Sequence, residues 1–280
     1  MIQRLAIVGV GLLGGSIALA ARAQGVAREI VGIGRDRARL EAPLRAGAVD
    51  QVTTDLAAGV RDADFVVLAA TVLANEQLLA DAWPAAAPAA LITDVGSTKR
   101  GIVAAAERLS GPPAFIGSHP MAGSEKSGYA EARADLFHGA IAIVTPTEAS
   151  EPRAVKGVTA FWESLGARVS ALDPSAHDHM VAAISHLPHV VAWALMDAVA
   201  RLEPGALPFA ARGFKDTTRI AAADPAMWTD ILLDNGDAIA RGLVAFCAAL
   251  NEFAELIVSG DRARIEAVLA RLKAQRERLA

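Results

Sequence analysis

The chain has 280 residues, 53% of them apolar, which suits one large or two modest domains and excludes disorder. A formal charge of −4 supplies no broad basic field for nucleic acid, and the single cysteine, Cys247, excludes an intrachain disulfide and a cysteine metal cluster. No run approaches the roughly 18 to 20 uncharged residues of a membrane span, and the first residues lack signal-peptide design, so a soluble cytoplasmic protein with no membrane partner is expected.

Arg4 to Val8 reads as a short buried strand. It runs into Gly9-Val10-Gly11-Leu12-Leu13-Gly14 and then into a helix beginning near Ile17. This is G-x-G-x-x-G between a strand and a helix, the setting that gives the pattern meaning. Gly9 permits the tight turn, Gly11 lets backbone approach a pyrophosphate, and Gly14 lets helix and strand pack closely. With Leu12 and Leu13 opening the helix, its N-terminal N–H groups face the phosphates. A second strand, Glu29 to Ile33, ends in Gly34-Arg35-Asp36. Glycine stands where an NAD site usually has an acid, and Arg35 just behind it suits a 2′-phosphate, so NADP is expected in preference to NAD. The alternative is a solvated basic turn, with Asp36 serving a ribose.

Ala63 to Ala69 and Ala90 to Val95 read as further strands, with a helix from Glu76 to Ala86 between them. Ala140 to Thr145 and Ala167 to Leu172 read as the last strands, separated by a helix over about 151–165. The alternation implies an α/β, Rossmann-type domain with a parallel sheet and helices on both faces. After Asp173 only helical patterns remain, so the expected division is 1–173 and 174–280, the second part all-α. Ile239, Leu243, Phe246, Leu250, Phe253 and Ile257 recur at helical spacing, as do Ile265, Val268, Leu269 and Leu272. These stripes must be covered by the same chain or by a second copy.

The chemistry concentrates in a few stretches. Asp94-Val95-Gly96-Ser97-Thr98-Lys99 follows a strand at the edge where such sheets bind ligands. Ile116 to Gly128 reads as a polar, glycine-rich loop holding His119 between a serine and a proline, and His119 is the best candidate base. Lys215 and Arg219 stand four apart, so on a helix they share a face. They either clamp an anionic substrate or form a solvated basic pair, with Asp216 as a further partner. His177 and His179 flank Asp178, but residues two apart on a helix point in different directions, so no metal site is expected. His138 has no evident polar company.

The glycine loop, the Asp94–Lys99 run, Gly117-Ser118-His119-Pro120-Met121-Ala122-Gly123, Ser185-His186-Leu187-Pro188-His189 and Gly213-Phe214-Lys215-Asp216-Thr217-Thr218-Arg219 together resemble the prephenate/arogenate dehydrogenase family. They stand in the family's order over nearly the whole chain. The resemblance implies oxidative decarboxylation of prephenate or arogenate with hydride transfer to NAD(P)+, on the route to tyrosine, by a homodimer with a helical dimerisation domain. It makes His119 the catalytic histidine and Ser97 the serine that orients the substrate hydroxyl near the cofactor. Arg219 becomes the carboxylate-binding arginine with Lys215 close by. His186 lines the pocket, and Glu125 and Trp228 stand at its entrance, the tryptophan arriving from the partner subunit. The readings that compete are another Rossmann enzyme with a helical second domain, of β-hydroxyacid or imine type, and a non-enzymatic NADP-sensing protein.

Overall fold

The computed structural model describes residues 1–123 and 126–279. Two compact units form, Met1–Gly236 and Asp237–Ala280. The strands are β1 (Ile2–Val8), β2 (Ala27–Ile33), β3 (Gln51–Thr53), β4 (Phe65–Leu68), β5 (Leu91–Asp94), β6 (Ala114–Pro120), β7 (Ile141–Thr145) and β8 (Arg168–Ala171). They build one eight-stranded sheet in the order β3-β2-β1-β4-β5-β6-β7-β8. Every pairing is parallel except β6 with β7, so the expected parallel sheet carries one antiparallel step.

The helices are α1 (Leu12–Ala23), α2 (Arg37–Arg45), α3 (Leu56–Val60), α4 (Val72–Ala82), α5 (Arg100–Glu107) and α6 (Pro152–Ser164), then α7 (Pro174–Val181), α8 (Leu187–Leu202), α9 (Arg212–Thr218), α10 (Pro225–Asp234), α11 (Gly236–Ser259) and α12 (Arg262–Glu277). Among the described residues no strand follows Ala171. The change of pattern at residue 173 therefore falls inside the first compact unit rather than at its end. Two apolar clusters cover the two faces of the sheet, one around Ile7, Ile17 and Trp162, the other around Val8, Leu68 and Ile92. Burial on both faces accounts for the nearly unbroken apolar runs of β1 and β4.

Three features correct the sequence expectation. The stretch read as a loop around His119 begins as strand β6, which ends at Pro120, so His119 stands on the sheet and pairs with Ile143 of β7. The short β3 beside β2 was not foreseen. Length and apolarity would also let Pro174–Leu202 and Gly236–Ser259 cross a membrane. The first of these runs nevertheless buries His177, Asp178 and His186 in the folded unit, where Lys99, Arg100 and Asn235 bond to it.

Helices α7 and α8 are joined by a π-helical turn, Ala182–His186. Pro188 has no N–H to return to Ile184, which disfavours regular helix pairing there. The consequence is functional. His177 and His186 are nine residues apart, which on an unbroken α-helix is about two and a half turns, opposite faces. The wider π turn changes that phase, and both side chains are buried.

Candidate active site

Strand order reverses between β1 and β4, which opens a crevice at the C-terminal ends of those strands. Gly9 follows β1 with φ of +97°, and a Cβ there would stand 2.6 Å from the carbonyl oxygen of Ala69, the residue after β4. At Gly14 a Cβ would stand 2.0 Å from the Gly9 carbonyl oxygen, so only glycine lets α1 start this close to β1. Beside Gly11, in contrast, no heavy atom lies within 4 Å of a Cβ position. The backbone at the mouth of α1 is thus open to a ligand, and Leu12 and Leu13, half-buried, begin that helix. A dinucleotide phosphate fits this edge. Arg35 is exposed beyond the tip of β2, and Asp36 is engaged locally, accepting from the Ala38 N–H at 2.9 Å as the cap of α2.

The neighbouring ends of β5 and β6 carry a buried polar network. Ser118 donates its N–H to Asp94 Oδ1 (3.1 Å) and its hydroxyl to the Asp94 carbonyl (2.6 Å), while Trp162 Nε1 donates to Ser118 Oγ (2.9 Å). Lys99, fully buried, pairs with the Asp94 carboxylate and donates to the Ser118 carbonyl at 3.0 Å. Every polar group of Ser118 is therefore held, which fixes the backbone that presents His119. Half-buried Ser97 lies on the loop between β5 and α5, two residues before Lys99.

His119 Nδ1 lies 2.9 Å from His177 Nε2, and His177 Nδ1 lies 2.8 Å from Asp178 Oδ1. Burial would raise the Asp178 pKa, but the bonds from His177 and from the Arg100 and Lys99 N–H groups hold it below the usual carboxylate range. Burial pushes both histidines down, His119 well below its ordinary value, with His177, Lys99 and His186 adding to the effect. Asp178 is then an anion, and its partner His177 Nδ1 must carry the proton. Neutral His177 offers Nε2 as an acceptor, so His119 donates through Nδ1–H and keeps an unprotonated Nε2. That is the state a general base requires near neutral pH.

His186 is 1% exposed, and its pKa is pushed down to about 4 by burial. Trp228 packs edge-on to His186 and lies 3.8 Å, ring centre to ring centre, from His189. Within its own chain Trp228 is 4% exposed, with Trp193 also beside it. Arg219 is exposed at the end of α9, close enough to His189 for its charge to disfavour protonation there. Lys215 is exposed on α9, and Asp216 pairs with Arg212 rather than with Lys215. Glu125 lies outside the described residues. The fold thus gathers His119 and His186 with three residues that sequence reasoning left without a role, His177, Asp178 and Asn235. His179 is exposed and bonds the Ser175 carbonyl, away from this group.

The family model described as prephenate dehydrogenase, nucleotide-binding domain matches residues 17–171, and the one described as prephenate dehydrogenase, dimerization domain matches 173–271. A prephenate dehydrogenase of Bacillus subtilis is 38% identical over 85% of this chain and 66% of its own length, so the chain spans about two thirds of that relative. A cyclohexadienyl dehydrogenase of Zymomonas mobilis is 34% identical over 92% of this chain and 90% of its own. The crystal structure of prephenate dehydrogenase from Aquifex aeolicus, in complex with hydroxyphenyl propionate and NAD+, superposes with a TM-score of 0.94 at 34% identity, covering 100% of this chain and 99% of that one. Two family models that together span most of the chain, and relatives of 34% and 38% identity, agree, and the chain belongs to the prephenate dehydrogenase family of oxidoreductases.

Proposed function

We propose that this chain oxidises and decarboxylates prephenate or arogenate, with NADP favoured over NAD. The observation that carries the reading is the His119–His177–Asp178 chain, which leaves a buried, neutral His119 with a bare Nε2. Residues 1–173 hold the cofactor through Gly9, Gly11, Leu12, Leu13 and Gly14, with Ser97 near the reacting centre, and residues 174–280 supply substrate and dimer contacts. A bound nicotinamide ring accepts the hydride. His119 Nε2 takes the proton of the ring hydroxyl as the carbinol carbon gives up that hydride, Ser97 orients the hydroxyl, and the C–C bond electrons released with carbon dioxide aromatise the ring. Arg219 grips a substrate carboxylate, Lys215 adds positive charge nearby, and His186 and Trp228 wall the pocket. The half-exposed apolar stripe of α11 and α12 is covered by a second copy in a homodimer.

The NADP preference rests on Gly34 and the exposed Arg35, together with the engagement of Asp36 as a helix cap. Turnover assays with prephenate and arogenate, each with NAD and NADP, test the reading. Release of carbon dioxide with cofactor reduction is expected, with kcat/KM higher for NADP, and Arg35→Ala narrows that margin. No turnover with either substrate overturns the activity, and equal or better use of NAD overturns the cofactor preference.

A further inference from the structure

His186 carries a second proton-placement device, independent of the first. Asn235 Nδ2 donates to the Asp178 carbonyl at 2.8 Å and lies 3.2 Å from His186 Nδ1, while Asn235 Oδ1 accepts from Arg100 Nη2 at 3.1 Å. The opposite amide orientation would set NH₂ against the guanidinium and oxygen against a carbonyl, so only one is stable. Asn235 thus donates to Nδ1, and neutral His186 must carry its proton on Nε2. That Nε2 is buried and has no hydrogen-bond partner among the described residues. A buried N–H without a partner is costly to hold, a cost that an acceptor atom of a bound ligand removes.

Both devices meet at Arg100. Its N–H and Nε donate to Asp178 Oδ2 at 2.9 and 3.2 Å, and its Nη2 holds Asn235. We propose that Arg100 is a positioning residue that sets two histidines in opposite tautomers: His119 with Nε2 bare to accept from a hydroxyl, and His186 with Nε2–H to donate to an acceptor oxygen of the same substrate. The substrate role rests on the activity proposed above, whereas the tautomers follow from the protein alone. Other charged and titratable groups facing this pair are Lys99, Asp94 and Asp234 from the β5, α5 and α10 side, and His189 from α8. Arg100 also governs when His177 charges. With the guanidinium gone, Asp178 is less neutralised and His177 protonates at higher pH. A charged His177 donates from Nε2, which forces the His119 proton onto its own Nε2 and removes the base.

The test uses the full-length protein with ¹⁵N-labelled histidine, signals being assigned by His119→Gln and His186→Gln. The unsubstituted protein should show the proton on Nδ1 for His119 and on Nε2 for His186; the same tautomer at both overturns the proposal, whether or not the enzyme turns over prephenate. Asn235→Asp retains an oxygen for Arg100 but presents a carboxylate to His186, so the His186 tautomer should invert while that of His119 stays. Arg100→Met should blur both assignments, lower kcat about 10- to 100-fold with KM changed less than about threefold, and move the acid limb of kcat/KM upward by about one pH unit. Arg100→Lys, which can still reach Asp178, should restore the acid limb but not the His186 assignment. An unmoved acid limb in Arg100→Met, or a His186 tautomer unchanged in Asn235→Asp, overturns the assignment to Arg100. Correct tautomers with no turnover of either substrate leave it standing and refute the proposed activity instead.

Discussion

Around His119, within Met1–Gly236, the deepest side chains are polar. Lys99, Asp94, His177, Asp178 and Asn235 are all 1% exposed or less, and each has a partner. In Asp237–Ala280 the situation is the reverse: Val244, Ile257 and Val258 are apolar and 73%, 69% and 86% exposed. A buried polar group is tolerated only with partners at the right distance, so the first region answers to a geometry. An exposed apolar stripe has no such internal condition. It marks an apolar surface that the chain itself leaves open.

The sharpest way to break the first half of that comparison is His119→Asn, which keeps a hydrogen-bonding side chain but cannot take up a proton. Turnover measurements should show kcat reduced by roughly 10²- to 10⁴-fold with substrate affinity retained. A loss confined to KM would make His119 a binding group. Next comes the anchor at the rim. Arg219→Ala should cost about 2 to 4 kcal/mol in kcat/KM, chiefly through KM for the substrate, with cofactor affinity unchanged. Arg219→Lys should stay costly because an ammonium lacks the paired donors of a guanidinium; weakened cofactor binding with normal substrate KM would place Arg219 elsewhere.

The exposed stripe is probed by Leu250→Glu with Ile257→Glu. Losing two apolar side chains from a covered face, at about 1.5 to 3 kcal/mol each, should raise the dimer dissociation constant by about 100-fold or more in light scattering or sedimentation. An unchanged oligomer would show that this stripe is not the contact. A last probe separates the two regions by pH. His119, His177 and His186 have folded pKa values below the unfolded one, so the unfolded state binds more protons as pH falls. Their contribution is fully present above about pH 6.5 and is lost progressively below it, at up to about 1.4 kcal/mol per pH unit for each histidine. Denaturant melts should therefore weaken from pH 6.5 towards 4, and His186→Gln should flatten the slope; a flat profile would mean these rings are not held neutral.

Much of this was legible in the chain itself. Strand β1, the glycine turn and α1 are written locally, since apolar runs and φ-permissive glycines act on their own neighbours. The helical character of 174–280 follows in the same way from residue spacing. Strand β6 was not legible, because Gly117 and Pro120 are poor strand residues and only pairing with β5 and β7 extends the backbone there. Nor was the machinery behind the histidines. His177 looked like half of a doubtful metal pair, and neither Arg100 nor Asn235 carried a signal. Arg100 lies 78 residues before Asp178 and 135 before Asn235, and the π turn that sets the phase of His186 depends on a single proline in a long helix. Sequence pattern records which groups bury and which turn, because those preferences act over a few residues. Which nitrogen of a buried histidine holds its proton is decided by partners brought within 3 Å or so from distant segments, and only tertiary structure makes that choice.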